Sequence, residues 1–270
     1  MPKFDANLTL LFTEVDFIER FTAAARAGFT GVEYLSPYAY SASQLEDALE
    51  NAGLEQVLFN LPSGDWAEGE RGIACLPDRV AEFREGVERA LAYAAILGCK
   101  QLNCLAGIVP AVLHHDDAHR TFVENLRYAS QALAEAKVAL VIEPVNTYDI
   151  PGFFLSSSKQ ALAILDEVGS LNLKLQYDIY HMQRMEGELA ATMEANLARI
   201  GHVQLADNPG RHEPGTGEIN YPFLFDGLDR VGYRGWIGCE YIPRADTIDG
   251  LGWAEAYLRP DPGAQLEHAQ

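Results

Sequence analysis

The stretch Ala139-Leu-Val-Ile-Glu143-Pro-Val-Asn146 decides how the rest of this chain is interpreted. Its four apolar residues predict a buried strand, and the strand ends on a carboxylate that Pro144 follows at once. A carboxylate at the end of an apolar strand needs an explanation, because burying a charge without a partner is costly. Glu143 is therefore a candidate functional residue.

The same pattern recurs three times further along the chain. Lys174-Leu-Gln-Tyr-Asp178 and Trp236-Ile-Gly-Cys-Glu240 end on acids, and Gly201-His-Val-Gln204 places an amide in the strand between them. The intervals between these strands each suit one helix and its loops. We expect four side chains to converge at one end of a ring of parallel strands: Glu143, Asp178, Gln204 and Glu240.

Strand-like and helix-like stretches alternate eight times, with no composition break and no linker. Eight such units predict an α/β fold, a single (β/α)₈ TIM barrel over residues 1–259, with its active site at the C-terminal ends of the strands. An open doubly wound sheet is the alternative, but no Gly-x-Gly-x-x-Gly follows an early strand. The predicted strands are 6–12, 31–35, 56–60, 101–105, 139–143, 173–178, 201–204 and 236–240.

Three further local features are predicted from the sequence. Ser43, with Glu46 three residues later, forms a capping-box pattern at the start of the second helix. A last helix is expected from Asp249 to Leu258. Residues 260–270 are polar and are predicted to form a loose C-terminal tail.

The charge balance excludes several classes of partner. The chain has 39 acidic residues against 20 Lys and Arg, for a net charge of −19. Nucleic acids and anionic membranes both bind clustered positive charge, so neither is an expected partner. The four cysteines form no Cys-x-x-Cys pair, no apolar run approaches 18 residues, and no signal-like N-terminus is present. These features predict a soluble cytoplasmic protein with reduced thiols, and they leave a homo-oligomer open.

Three carboxylates that lie close together cannot all stay ionised without a cation, because like charges raise each other's pKa. Oxygen donors, including the neutral amide of Gln204, suit a hard divalent ion such as Mg²⁺ or Mn²⁺. A single acid at a strand end is often only a cap or an ion-pair partner, and this alternative stays open for Asp178. For Glu143 and Glu240, which both follow apolar runs, the sequence favours a functional role.

Other polar residues near these strand ends have two interpretations each. His181 lies three residues after Asp178, where it either orients a substrate oxygen or only begins a helix. Arg211 and His212 follow the seventh strand and either bind substrate or form a loop ion pair beside Asp207. Arg71, in the Gly-rich loop after the third strand, is open to the same two interpretations. The pair His114-His115 is predicted to lie on the surface.

A divalent ion flanked by two carboxylates suits proton transfer next to a carbonyl group. One glutamate would remove a proton from the carbon beside the carbonyl, an enediolate would form, and the proton would return to the adjacent carbon. This chemistry requires no organic cofactor. No nucleophile motif such as Gly-x-Ser-x-Gly is present.

The sequence closely resembles the hydroxypyruvate isomerases, within the xylose isomerase-like family of TIM barrels. The resemblance extends over nearly the whole chain, to about Trp253, and its most specific parts are Gln176-Tyr-Asp-Ile-Tyr-His181 and Glu213-Pro-Gly-Thr-Gly-Glu-Ile-Asn220. The other stretches that carry it are 6–12, 59–73, 142–146, 182–187, 207–212 and 238–241.

The resemblance implies interconversion of hydroxypyruvate and 2-hydroxy-3-oxopropanoate, with Glu143 and Glu240 as the acid/base pair. It also implies that these two residues, with Asp178 and Gln204, hold a divalent ion where one is bound. A sister group isomerises 2-oxo-tetronates, which share the same hydroxyketo-acid unit. Because the keto-acid substrate is anionic, we expect the ion, with Arg71 or Arg211, to neutralise it.

Three rival functions remain open from the sequence. A ketose 3-epimerase would act on an uncharged sugar. A barrel endonuclease would need more histidine ligands and a basic face. A catalytically silent binding protein would leave the two glutamates unexplained.

Overall fold

The computed structural model of this chain describes residues 2–258, and these residues form a closed barrel of eight parallel strands in chain order. The predicted C-terminal tail lies outside the described residues. The strands are β1 (Lys3–Asn7), β2 (Gly31–Tyr34), β3 (Glu55–Asn60), β4 (Gln101–Cys104), β5 (Ala139–Ile142), β6 (Leu173–Asp178), β7 (Ile200–Leu205) and β8 (Trp236–Cys239). The (β/α)₈ prediction is therefore confirmed.

Helices lie between the strands along the chain. The α-helices are α1 (Phe17–Arg26), α2 (Ala42–Ala52), α3 (Val80–Leu97), α4 (His115–Glu135), α5 (Ser158–Val168), α6 (Ile179–Met185), α7 (Leu189–Asn196) and α8 (Tyr221–Val231). Short 3₁₀ helices cover Pro77–Arg79, Leu197–Arg199 and Asp249–Ala254. None of the helices within residues 2–258 is long and apolar enough to cross a membrane.

Three predicted boundaries were wrong. The first strand ends at Asn7, because residues 8–12 form a buried turn whose apolar side chains imitate a strand; both Leu10 and Leu11 donate backbone hydrogen bonds to the Asn7 carbonyl. The second helix is capped by Ser41 in a capping box with Gln44, and not by the predicted pair Ser43 and Glu46. Both pairs have the same three-residue spacing, and the observed pair lies two residues earlier. The last helix is a 3₁₀ segment that ends at Ala254, and its two glycines disfavour a longer α-helix.

The apolar core lies mainly between the strands and the surrounding helices. Each helix buries one face there, as α2 does with Leu45, Ala48 and Leu49. The interior of the barrel carries many buried polar side chains, which distinguishes it from the aliphatic filling typical of the fold. These polar residues are Asp5, Asn7, Glu33, Asn60, Asn103, Gln176, Asp178, His202 and Gln204.

Strand register brings the predicted residues to one end of the barrel. Asp178 of β6 pairs with Gln204 of β7, and Gln204 pairs with Gly238 of β8. Glu240 comes two residues after Gly238 and so points to the same side of the sheet. Glu143 directly follows Ile142, the last residue of β5. The four predicted side chains therefore meet at the C-terminal ends of β5 to β8.

Candidate active site

Glu143, Asp178, Gln204 and Glu240 are all buried, with no more than 5% of any of them exposed. Each stands at or next to the C-terminal end of a different strand, as the sequence predicted. Their identity as ligands or catalytic groups rests on what each contacts, which differs from one residue to the next.

The Glu143 carboxylate is held on one side only. Asn103 of β4 donates from Nδ2 to Glu143 Oε2 at 2.9 Å, and the same nitrogen lies 3.1 Å from Asn60 Oδ1. The other oxygen, Oε1, lies 3.7 Å from His181 Nε2. Oε1 is therefore the oxygen of Glu143 that faces the centre of the site.

Asp178 and His181 are arranged by the start of α6. Asp178 Oδ1 accepts a hydrogen bond from the His181 backbone N–H at 3.0 Å and caps the helix. Asp178 Oδ2 is buried without a hydrogen-bond partner and lies 3.8 Å from His181 Nε2. The sequence left open whether Asp178 is only a cap; the structure shows that one oxygen caps and the other remains available.

The ring of His181 is fixed in one tautomer. Asn146 Nδ2 lies 2.7 Å from His181 Nδ1, and because an amide nitrogen only donates, Nδ1 accepts and the proton sits on Nε2. Burial lowers the pKa of His181 to about 4, so the ring is neutral near pH 7. His181 thus presents an N–H donor beside Glu143 and Asp178, which suits a contact to a substrate oxygen.

Glu240 is held on both oxygens. Gln204 Nε2 donates to Oε2 at 2.5 Å, and Arg211 donates to Oε1. Arg211 has a φ of +57°, in the left-handed region that side-chain-bearing residues rarely adopt. Its carbonyl accepts a hydrogen bond from the Ile242 N–H at 2.8 Å, which ties the strained residue to the chain beyond β8.

The loop that carries Arg211 is shaped by Asp207 and not by an ion pair. The Asp207 carboxylate accepts backbone hydrogen bonds from Asn208, Gly215, Gly217 and Ile219, at 2.8 to 3.1 Å. Asp207 is therefore occupied as an anchor of the loop. Arg211 pairs with Glu240, so the alternative of a loop ion pair with Asp207 is excluded in this structure.

The two glutamates have strongly raised pKa values. Burial, with the charges of Glu240 and Asp178, raises the pKa of Glu143 well above its usual range. Burial raises the pKa of Glu240 to about 8 against the opposing effect of Arg211. A pair of carboxyl groups with pKa values moved toward neutrality is typical of groups that exchange protons.

The oxygen atoms that converge in the site suit a divalent cation. Ligand atoms of Glu143, Asp178 and His181 all lie within 4.8 Å of one another, and Asp178 Oδ2 has no other partner. His181 presents its protonated nitrogen, so carboxylate oxygens suit the ion better than this ring does. Gln204 Oε1 accepts a hydrogen bond from Gln176 Nε2 at 2.6 Å and keeps a second lone pair.

Arg71 lies in the loop after β3 and contacts none of the four convergent residues. Its guanidinium stacks over Trp66 at 3.9 Å from the ring centroid and donates to the carbonyls of Trp66 and Glu70. Its predicted contact with substrate stays a prediction. His212 Nδ1 lies 2.8 Å from the Ile242 carbonyl oxygen, and His114 and His115 are exposed, as predicted for that pair.

Several buried polar partners escaped prediction from the sequence. Asn103 and Asn146 hold Glu143 and His181, and Glu33 of β2 contacts Gln204 across the barrel. The available signal was a polar residue inside an otherwise apolar strand, as in Gly31-Val-Glu33-Tyr34. That signal marks an inward position but does not say which strand it faces.

Known proteins resemble this chain over nearly its whole length. A family model described as "Xylose isomerase-like TIM barrel" matches residues 21–257. Hydroxypyruvate isomerase from Escherichia coli is 54% identical over 95% of this chain and 100% of its own length. A 2-oxo-tetronate isomerase from Cupriavidus necator is 49% identical over 96% of this chain and 99% of its own.

A solved structure from Brucella melitensis, titled as an AP endonuclease of family 2, superposes with a TM-score of 0.94 at 46% identity, covering 96% of this chain and 100% of that one. An L-ribulose 3-epimerase superposes with a TM-score of 0.73 at 23% identity, over 96% of this chain and 88% of that one, which shows a shared fold alone. On its sequence and its barrel, the chain belongs to the xylose isomerase-like TIM barrel family.

Proposed function

We propose that this protein is a cytoplasmic isomerase that interconverts hydroxypyruvate and 2-hydroxy-3-oxopropanoate. The observation that carries the proposal is the pair of buried glutamates, Glu143 and Glu240, at the ends of β5 and β8 with Asp178 and His181 beside them. The likeness to the E. coli hydroxypyruvate isomerase over that protein's full length supports it.

The reaction is balanced within the substrate. Hydroxypyruvate carries a CH₂OH group (C3) next to a ketone (C2) and a carboxylate. One glutamate removes a proton from C3 while the C2 oxygen gains one, which gives an enediol. A proton is then placed on C2 while the hydroxyl on C3 loses one, which leaves an aldehyde. No electrons leave the substrate, so no redox partner or organic cofactor is required.

The surrounding residues would orient the substrate for these transfers. His181 would donate from Nε2 to a substrate oxygen, since its proton is held on that nitrogen by Asn146. Arg211, which pairs with Glu240, would place positive charge near the substrate carboxylate. This local charge matters because the chain carries a net charge of −19 and repels anions at long range.

A divalent ion, Mg²⁺ or Mn²⁺, would be held by Glu143, Asp178, Gln204 and Glu240. When bound, such an ion polarises a carbonyl oxygen and stabilises the negative charge that develops on it. The unpartnered Asp178 Oδ2 is the structural feature that favours a bound cation.

A second candidate substrate is a 2-oxo-tetronate, which has one more carbon. The 49% identity to the C. necator 2-oxo-tetronate isomerase supports this alternative. The proton-transfer unit, a hydroxyl carbon next to a keto-acid carbonyl, is the same in both substrates. Epimerisation of ketoses at C3 is a weaker alternative, because the similarity to ketose 3-epimerases is confined to the fold.

NMR in D₂O tests the proposal directly. We expect the wild-type protein to convert hydroxypyruvate into its isomer with deuterium incorporated at the carbon that gains the proton. A parallel reaction with a 2-oxo-tetronate compares the two substrates by kcat/KM. If the protein turns over neither acid, the isomerase proposal is refuted. If kcat/KM is higher for the four-carbon acid, the 2-oxo-tetronate replaces hydroxypyruvate as the proposed substrate.

Asp178→Asn is expected to weaken cation binding without disturbing α6. An asparagine keeps an oxygen that caps the helix but loses the anionic Oδ2 that has no partner. Calorimetric titration of Mn²⁺ into EDTA-treated protein should show one site in the wild type. The variant's affinity should fall by more than about tenfold, the loss that mutation of an outer-shell partner alone causes. Equal affinities in both proteins would contradict a ligand role for Asp178.

A further inference from the structure

A buried carboxylate that the reaction does not use lies inside the barrel below the active site. Glu33 of β2 is fully buried, and it accepts three hydrogen bonds. Asn7 Nδ2 donates at 2.9 Å, His202 Nε2 lies at 2.7 Å, and Gln204 Nε2 donates at 2.7 Å. These donors come from β1, which pairs with β2, and from β7, which lies three strands away in the ring, so Glu33 connects β2 to β7 through the barrel interior.

The structure gives this carboxylate a dedicated space. Gly238 of β8 packs against it so closely that a Cβ at that position would lie 2.5 Å from Glu33 Oε1. Any side chain there would push the carboxylate out of place. The position of Glu33 is therefore defined by neighbours on three other strands, β1, β7 and β8.

The cluster of Asp5, Glu33 and His202 is better explained by hydrogen bonds than by a bound metal ion. Ligand atoms of Asp5, Glu33 and His202 lie within 4.8 Å of one another, which is compatible with an ion. However, His202 Nε2 and Glu33 Oε2 are already in direct contact at 2.7 Å. An ion with bonds of about 2.0–2.2 Å would have to push these two atoms apart. The contacts indicate a hydrogen-bond network whose outer end is Gln204.

Gln204 links this network to the active site. One N–H of its amide donates to Glu33 and the other to Glu240 Oε2, at 2.7 and 2.5 Å. On the other side, Gln204 Oε1 accepts from Gln176 Nε2, while Gln176 Oε1 has no partner. Gln176 can rotate its own amide and then accept where it now donates. It therefore does not determine which way the Gln204 amide faces.

We propose that Glu33 is a positioning residue that fixes the orientation of the Gln204 amide, and through it the carboxylate of Glu240. A carboxylate only accepts hydrogen bonds, so Glu33 requires the nitrogen of Gln204 to face it. The same nitrogen then meets Glu240 Oε2. Without Glu33, the Gln204 nitrogen keeps one of its two carboxylate acceptors, so the amide is held less firmly and the Glu240 carboxylate loses the support of one of its two fixed contacts.

Kinetics and crystallography of Glu33→Ala and Glu33→Gln test this inference; the kinetic arm rests on the proposed isomerase function. In Glu33→Ala we expect kcat to fall by about 10–100-fold, the usual effect of losing an outer-shell partner, with a much smaller change in KM. Glu33→Gln should recover part of kcat, because its amide oxygen still accepts from Gln204. A crystal structure of Glu33→Ala should show the Gln204 side chain displaced and its contact with Glu240 lengthened or broken.

Gln56→Ala is the matched control. Gln56 is a similarly buried polar residue on the neighbouring strand β3, and its amide donates only to the carbonyls of Val32 and Leu58. It should retain wild-type kcat. An equal loss of kcat in both alanine variants, or an unmoved Gln204 in the Glu33→Ala crystals, would overturn the inference. If wild type turns over neither keto-acid, the proposed function fails, while the crystallographic result still decides the role of Glu33.

Discussion

Glu240→Gln is expected to slow isomer formation and deuterium incorporation with hydroxypyruvate by about 10²–10⁴-fold. An amide has nearly the same size as the carboxylate and can still accept from Arg211, but it cannot take up a proton. General acid–base groups contribute roughly 10²–10⁴-fold to rates, so kcat should fall by that factor. NMR in D₂O measures both the isomer and the incorporated deuterium in one experiment.

Glu143→Gln should give a loss of similar size, because the proposed reaction needs both members of the pair. The contacts of the two residues differ, since Asn103 alone bonds Glu143 while Gln204 and Arg211 hold Glu240. Each variant can be tested for exchange of the C3 proton for solvent deuterium in the absence of isomer formation. The difference between the two variants would show which glutamate acts on C3. A variant that exchanges the C3 proton but forms no isomer has lost only the second transfer.

Glu218→Gln is the matched control for both variants. Glu218 lies in the loop after β7 and accepts from Gln183 and Asn208, away from the four convergent residues. It should retain wild-type turnover. If Glu240→Gln keeps turnover within about tenfold of wild type while remaining folded, proton transfer by Glu240 is refuted and the isomerase proposal loses its central residue.

More of the fold than of the site could be predicted from the sequence. Alternation of strands and helices predicted the barrel, because local periodicity reports which face of each element is buried. An acid at the end of an apolar run predicted that Glu143 and Glu240 face a shared space, because the C-terminal ends of β5 to β8 follow one another around the same end of the barrel. The first strand was misplaced, since the buried turn at 8–12 is as apolar as a strand.

The partners of the site residues were not predictable. Glu33 contacts His202 and Gln204, which lie 169 and 171 residues later in the chain, and only closure of the barrel brings β7 within three strands of β2. The partner of Arg211 was equally hidden. Asp207 lies nearer in sequence than Glu240, but backbone N–H groups of its own loop satisfy it. Local sequence does not reveal which acceptors remain free.

Arg211→Ala is expected to raise KM for hydroxypyruvate and to lower kcat/KM by about 30-fold. Removing one partner of a hydrogen-bonded charge pair costs at least about 2 kcal/mol, and the partial exposure of Arg211 favours this lower value. Arg211→Lys should recover only part of the loss, because an ammonium group lacks the planar fork of the guanidinium. Steady-state kinetics with each variant measures the separate changes in KM and kcat.

Arg184→Ala is a close control for the Arg211 prediction, because both guanidiniums lie over the Tyr180 ring, at 5.5 and 5.4 Å. Arg184 pairs with Asp149 and not with Glu240, so its loss should leave KM for the keto-acid near the wild-type value.

Arg71→Ala should also have a smaller effect than Arg211→Ala, because Arg71 stacks on Trp66 within its own loop. If neither Arg71→Ala nor Arg211→Ala changes KM, these arginines do not neutralise the substrate carboxylate, and that role falls to the cation alone.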